Sequence, residues 1–457
     1  MTNVSVRPGV GGSTRRSVGS IAAAMTGVFA LVALCAALGV VTVEFETLAL
    51  MLAIGILAIG LVSTDIGILP VLAFPATLVM VRTGPLSVSD LVLAMAILPA
   101  LLLYRRSDTA PMRNLMWAGV AYHVLLIPTL LMNVYVENFL EWFHTIALVM
   151  GGLAVGWVVG RQGYARSALT LYVVGCVGIA VAAIFTGLLM FAQGGSFGPV
   201  YLPALHKNFI GNSLAFAFLM LWIRPAWLRW NRQLAILAMV VCAGGIAASG
   251  ARQAMVSVIV VIAVLALRSR SRGGGRGRLL LLALIPAIFL IWNSVSAQFE
   301  EDNPFNSAAQ RLEWFGESLE VWQHSPLFGV GLRWWYTGNY PGFQPPNGFL
   351  EMLSSAGVVG LLAFLILCVA SLWVVFKLPP RYGQIALAVM LARFVQGQLD
   401  LFWVAGQASI PWMVAGLAIG VMALERANGV PEAMPTRDRR AQGIPWRGRP
   451  PARRNDS

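Results

Sequence analysis

The sequence predicts an all-α fold, a polytopic transmembrane helical bundle, and three observations predict it. Of the 457 residues, 58% are hydrophobic and only 11% are charged, whereas a water-soluble domain carries about a quarter of its residues charged. Mean hydropathy is +0.75. The apolar residues also gather into stretches of about 17–25, the length a helix needs to cross a bilayer. The short alternating segments of a membrane β-barrel, each of about 10 residues, do not occur.

About 14 such stretches can be laid out in order, giving an expected count of about 12–14 spans. They lie near 20–42, 47–63, 66–82, 90–104, 114–133, 139–160, 167–192, 208–223, 233–249, 252–267, 279–294, 349–376, 384–400 and 408–425. Residues 1–19 read as a basic cytoplasmic arm, 20–425 as the transmembrane domain, and 426–457 as a disordered basic cytoplasmic tail. Arg15-Arg16 precede an apolar stretch too long for a signal h-region, so the first span reads as uncleaved.

Orientation follows from the basic residues. With the N-terminus inside, the inner connections collect Arg105, Arg106 and Arg113, then Arg161 and Arg166, then Arg224, Arg229 and Arg232. Arg268 to Arg278, Lys377, Arg381 and the arginines of the tail follow the same parity. This is the positive-inside pattern of a multi-pass protein with both termini cytoplasmic. The net charge of +13 is therefore accounted for by membrane lipids and topology, and no nucleic-acid partner is expected. The four cysteines, Cys35, Cys176, Cys242 and Cys368, stand inside apolar spans without disulfide or metal-ligand spacing. No metal and no cofactor is expected.

Arg82, Lys207, Arg252, Arg311, Arg333 and Arg393 escape that pattern, standing in outer connections or within spans. Each has a plain reading as a local salt bridge or a snorkelling side chain, and for Arg82 the nearby Asp90 favours it. Three outward-facing helix starts supply the other reading: His206-Lys207-Asn208, Ser249-Gly250-Ala251-Arg252 and Pro345-Pro346-Asn347-Gly348. Free N–H groups, a helix dipole and a cation together suit a phosphate. Asn208 and Asn347 also suit ordinary helix capping.

One large extracytoplasmic loop is expected at 295–348. It opens on Glu300, Glu301 and Asp302 and continues as an amphipathic helix over 307–323, with Leu312, Phe315, Leu319 and Trp322 expected on the face turned to the membrane. His324 reads as structural, and His123 and His144 as packed core histidines. Gly329-Val330-Gly331 lacks the strand and further residues of a nucleotide loop. The aromatic stretch that follows (Trp334, Trp335, Tyr336, Tyr340, Phe343) fits either a sugar platform or an interfacial belt. Farther on, Arg393, Gln396 and Asp400 share one helical face, and a polar face inside a membrane points to function or to a buried ion link.

These stretches resemble the O-antigen ligase and polysaccharide polymerase family. The resemblance is carried by Ser249-Gly250-Ala251-Arg252, Arg311-Leu312-Glu313-Trp314, Pro326-Leu327-Phe328-Gly329-Val330-Gly331, and Asn347 with Gly357-Val358-Val359-Gly360. Leu399-Asp400-Leu401-Phe402-Trp403 and His206-Lys207-Asn208 match more weakly, and the whole spans about 205–425. The resemblance implies a metal-independent, GT-C-like glycosyltransferase of the bacterial inner membrane. It would join a glycan carried on undecaprenyl pyrophosphate to a second glycan or a lipid acceptor at the outer face. By family position Arg252 and Arg311 would stabilise the departing pyrophosphate; Asp400 is the third residue expected to be catalytic, as an outer-side carboxylate rather than by family position. His206, Lys207, Arg333, Asn347 and Arg393 are expected to bind substrate. Where the family's ligases place a His before the position of Asn347, this chain has Pro346. Asp400, Glu313 and His206 are the outer-side residues that could take over as base. Two other classes stay open: a transporter or flippase for a lipid-linked or anionic envelope precursor, and a non-catalytic scaffold of envelope assembly.

Overall fold

The computed structural model describes residues 65–83, 86–104, 109–195, 197–270, 307–338 and 343–429. The spans expected at 20–42, 47–63 and 279–294, the N-terminal arm, the acidic opening of the long loop and the tail beyond 429 lie outside these residues. So does the side chain of Arg82.

The helices are α1 (Ile68–Ala76), α2 (Val88–Leu103), α3 (Ala110–Leu125), α4 (Ile127–Met132), α5 (Val136–Ile146) and α6 (Gly152–Arg161). They continue as α7 (Ala165–Ala192), α8 (Lys207–Ile223), α9 (Arg232–Ser249), α10 (Arg252–Arg270) and α11 (Ser307–His324). The last three are α12 (Gly348–Lys377), α13 (Pro380–Gln396) and α14 (Ala405–Ala427). A π-helical turn, Ala147–Gly151, joins α5 to α6, and a two-residue antiparallel pair, β1 (Arg82–Thr83) with β2 (Leu86–Ser87), precedes α2. Among the described residues six runs are long and apolar enough to cross a membrane: Ala110–Met132, Val136–Arg161, Ala165–Ala192, Arg232–Ser249, Gly348–Lys377 and Gly406–Ala427. The chain is thus an all-α integral membrane bundle.

Two expected spans come out differently. The stretch at 66–82 forms only the nine residues of α1, closed by Thr77, whose hydroxyl donates to Phe74 O at 2.6 Å, before the chain turns into β1. The stretch at 384–400 ends as helix at Gln396, with Gly397 as its cap. Arg393 and Gln396 therefore share a helical face, but Asp400 sits in the bend beyond it.

Close backbone packing holds the centre. A Cβ on Gly156 or Gly160 of α6 would collide with the backbone of α14 at Met413 and Leu417. One on Gly416 or Gly420 of α14 would collide with α6 at Leu153 and Trp157. Small residues let two membrane helices approach until dispersion and backbone contacts replace the missing hydrophobic drive. The outward side chains are those of a lipid-facing surface: Val174, Val181 and Phe185 of α7 are 61%, 53% and 61% exposed.

The ends of the bundle are chemically distinct. At one, Arg268 of α10 donates to the carbonyls of Phe376 and Leu378 at the close of α12, and Arg381 pairs with Glu425 at 2.8 Å. At the other, α8, α10 and α12 begin while α9 and α13 end.

Candidate functional site

A cavity of about 1470 Å³ opens at that second end. Its walls come from the starts of α8 and α10, the close of α9, the first turns of α11 and the bend after α13. Three cationic side chains, Lys207, Arg252 and Arg311, line it together with His206, Asp400, Gln253 and Gln407. Phe197, Phe209, Phe218, Ile246, Met255 and Val258 line its apolar side.

Local sequence explains the placement. Gly250 ends α9 in the left-handed conformation, φ +63°, which a glycine adopts without steric cost. Ser249 Oγ accepts from Ala251 N at 3.2 Å, so the chain reverses in a tight turn and α10 starts with Arg252 beside the cavity. Gly211 of α8 leaves room for Ala251, which any Cβ there would strike. The two helix starts are therefore drawn together. Asn208 is not the cap of α8, as its position suggested. His206 is, accepting from Asn208 N through Nδ1 at 3.2 Å, because the extended backbone of the cap position falls on His206. That bond puts the neutral imidazole's proton on Nε2. Burial moves the His206 pKa below its ordinary value and Lys207 adds to the shift, while Asp400 opposes it.

The amphipathic helix has the bounds read from its periodicity to within a residue. Leu312 and Leu319 are 62% and 41% exposed, whereas Ser318 and Val321 are buried. The inward face runs through Arg311, Trp314, Ser318 and Val321, and it delivers Arg311 to the cavity. Trp314 meets Phe343 at 5.0 Å between ring centroids. Tyr201 meets His206 at 5.3 Å and lies 6.0 Å from the Lys207 ammonium. Trp314, Phe343 and Tyr201 all line the cavity. Glu313 is exposed on the outer side of α11 and does not line it.

A clasp anchors α11 to the bundle. At Gly357, φ +65°, α12 is broken, and the segment after α11 docks into the break. Val330 N and Gly331 N donate to Ser354 O and Ser355 O at 3.2 and 2.8 Å, and Val358 N and Val359 N donate to Pro326 O and Leu327 O at 2.9 and 3.2 Å. From behind, Asn133 donates to Gly329 O and Tyr135 to Val330 O.

Asp400 is held by two carboxamides, Asn212 Nδ2 and Gln253 Nε2, each 3.4 Å from Oδ2. Arg393 lies beneath, fully buried. It donates to Leu401 O at 2.9 Å, to Phe402 O, and to Gln407 Oε1 at 3.5 Å. Gln407 in turn donates to Phe209 O and Ser213 Oγ.

Of the expected site residues, Arg252, Arg311, Asp400, His206 and Lys207 share the cavity, and Pro346 stands on its wall. Arg333, Asn347 and Arg393 do not line it. Arg333 pairs with Glu141 at 3.6 Å. Asn347 caps α12, accepting from Phe349 N and Leu350 N, and donates to Gln398 O. His123 is a packed core histidine as expected, bonded to Gly119 O. His144 is not: its Nε2 lies 3.1 Å from Asp90 and its Nδ1 3.3 Å from Glu141, because α2 and α5 each bring a carboxylate to it. Asn212, Gln253 and Gln407 were missed. Carboxamides inside apolar spans were the available signal.

A helical membrane protein with a basic, aromatic-edged cavity at one end is the class these features define. Residues 237–365 match the family model of the O-antigen ligases, and over that stretch the chain carries this family's sequence pattern. The matched stretch holds Arg252, Arg311, Arg333, Asn347 and the clasp, while His206, Lys207, Arg393 and Asp400 lie outside it. No curated protein matches the chain. The match supports an enzyme of the membrane glycan ligase or polymerase kind.

Proposed function

We propose that this chain transfers a glycan from a polyprenyl pyrophosphate, such as undecaprenyl pyrophosphate, to a hydroxyl of a second glycan or a lipid anchor. The transfer takes place at the outer face of the bacterial cell membrane, in a GT-C-like and metal-independent manner. The carrying observation is that Lys207, Arg252, Arg311 and Asp400, from four separate segments, line one cavity with an apolar side. In this reading the acceptor oxygen attacks the anomeric carbon, and the bond from that carbon to the pyrophosphate oxygen breaks. The electron pair leaves with the polyprenyl pyrophosphate, and the acceptor's proton passes to the Asp400 carboxylate. Guanidinium groups meet the developing phosphate charge with paired donors already in place, which is worth more in a dry site than in water. His206, with Nδ1 engaged in the cap, serves as a donor through Nε2 rather than as the base. Trp314, Phe343 and Tyr201 offer ring faces to the sugars. In this reading the arm and the tail face the cytoplasm and the cavity faces outward, which the distribution of basic residues supports.

The test is made in cells that produce the polymer. Arg252→Ala and Arg311→Ala should each stop chain growth and make lipid-linked donor accumulate, with the protein still in the membrane. Normal glycan length in both variants would refute the proposal.

A further inference from the structure

We infer that Asn212 and Gln253 are positioning residues that orient the Asp400 carboxylate for proton transfer, an inference that rests on the transfer reading above. Both side chains are buried, at 0% and 3% exposure, and a buried amide is costly unless its hydrogen bonds are made. They come from different helices, α8 and α10, and converge on the same oxygen, Oδ2. Neither is needed by its own helix backbone. Asn212 Oδ1 has no partner among the described residues, so the donor end of that amide is the engaged one.

The consequence for Asp400 is geometric. Its backbone lies in a bend whose next two carbonyls are held by Arg393. With Oδ2 tied on two sides as well, the carboxylate has no free rotation. Oδ1 has no hydrogen-bond partner among the described residues and is the oxygen left for an acceptor hydroxyl. Neutral amides suit this task better than a cation would. They hold an acceptor-only group in place without pairing off its charge in a low-dielectric site. At 3.4 Å both bonds are long, as catalytic hydrogen bonds often are before substrate arrives.

The test uses the full-length protein in membranes with polyprenyl-pyrophosphate-linked glycan extracted from cells that lack it, reading release of polyprenyl pyrophosphate. Asn212→Ala and Gln253→Ala should each lower turnover about tenfold or more, the scale of a charge-assisted hydrogen bond, with half-saturation by donor unchanged. The isosteric Asn212→Asp and Gln253→Glu, which remove the donor but not the volume, should lose at least as much. Losing a general base costs about 10²–10⁴-fold, so Asp400→Asn retains turnover that can be read. In that background Asn212→Ala should cause no further loss, since the residue acts only through Asp400. Additive loss there, wild-type turnover in the single variants, or a raised half-saturation with turnover unchanged would each overturn the inference. Wild-type turnover in Asp400→Asn would instead overturn the transfer chemistry on which it rests.

Discussion

Gly329 and Gly357 stand at a crossing of two chain segments that leaves room for a side chain on neither. A Cβ on Gly329 would strike the backbone of Ser355 and Ala356, and one on Gly357 would strike that of Leu327 and Phe328. Both have positive φ, +68° and +65°. The crossing holds the helix bearing Arg311 against the bundle. Gly329→Ala and Gly357→Ala should each cost about 2–4 kcal/mol, combining left-handed strain with overpacking. Thermal unfolding in detergent reads this. Gly316→Ala, in open space on α11, should leave the melting temperature unchanged or raise it.

Arg393 has a structural task with a functional result. It satisfies the carbonyls of Leu401 and Phe402 from a fully buried position. Arg393→Met leaves those carbonyls without their donor, at a cost of about 1–3 kcal/mol for each group left unsatisfied. Arg393→Lys should recover little of the loss, because an ammonium lacks the planar fork that spans two acceptors. Melting temperature and glycan length should fall together in both variants.

His206 should titrate below the range of a free imidazole, about 6.5, since burial disfavours its charged form. The signs of its neighbours set two further outcomes. Lys207→Met removes a repelling cation and should raise the midpoint, whereas Asp400→Asn removes an attracting carboxylate and should lower it. Imidazole NMR on selectively labelled protein distinguishes these directions, and a common direction in both variants would contradict the arrangement.

Arg333 provides the contrast among the arginines. It pairs with Glu141 and lies over Tyr336 rather than in the cavity. The pair is mostly buried, at 14% and 12% exposure, so Arg333→Ala should reduce stability by about 3 kcal/mol and leave half-saturation by donor unchanged. A loss of donor binding equal to that of Arg311→Ala would place Arg333 in the binding site after all.

Apolar runs and caps made much of the bundle legible, and the period of α11 set its bounds. Leu312 and Leu319, read as the stripe turned to the membrane, are exposed, while Arg311 shares the other face with buried Ser318. The basic residues left over from topology led to the cavity through Lys207, Arg252 and Arg311. The same reasoning was misled at Arg393, whose partners are backbone carbonyls with no signature in sequence. Asp400 was assigned to a helix that stops short of it, since Gly397 gave the only warning. The amides around it came from positions that charge patterning does not examine.

The contact between Asn212 and Asp400 joins residues 188 apart in the chain. A ribosome must therefore deliver nearly all of the bundle before the carboxylate reaches the arginines. On the proposed reading, partly inserted chains carry the cationic wall without the proton acceptor. Competence arrives as a late step of biogenesis, when the segment that carries Asp400 joins the helix starts that carry Lys207 and Arg252.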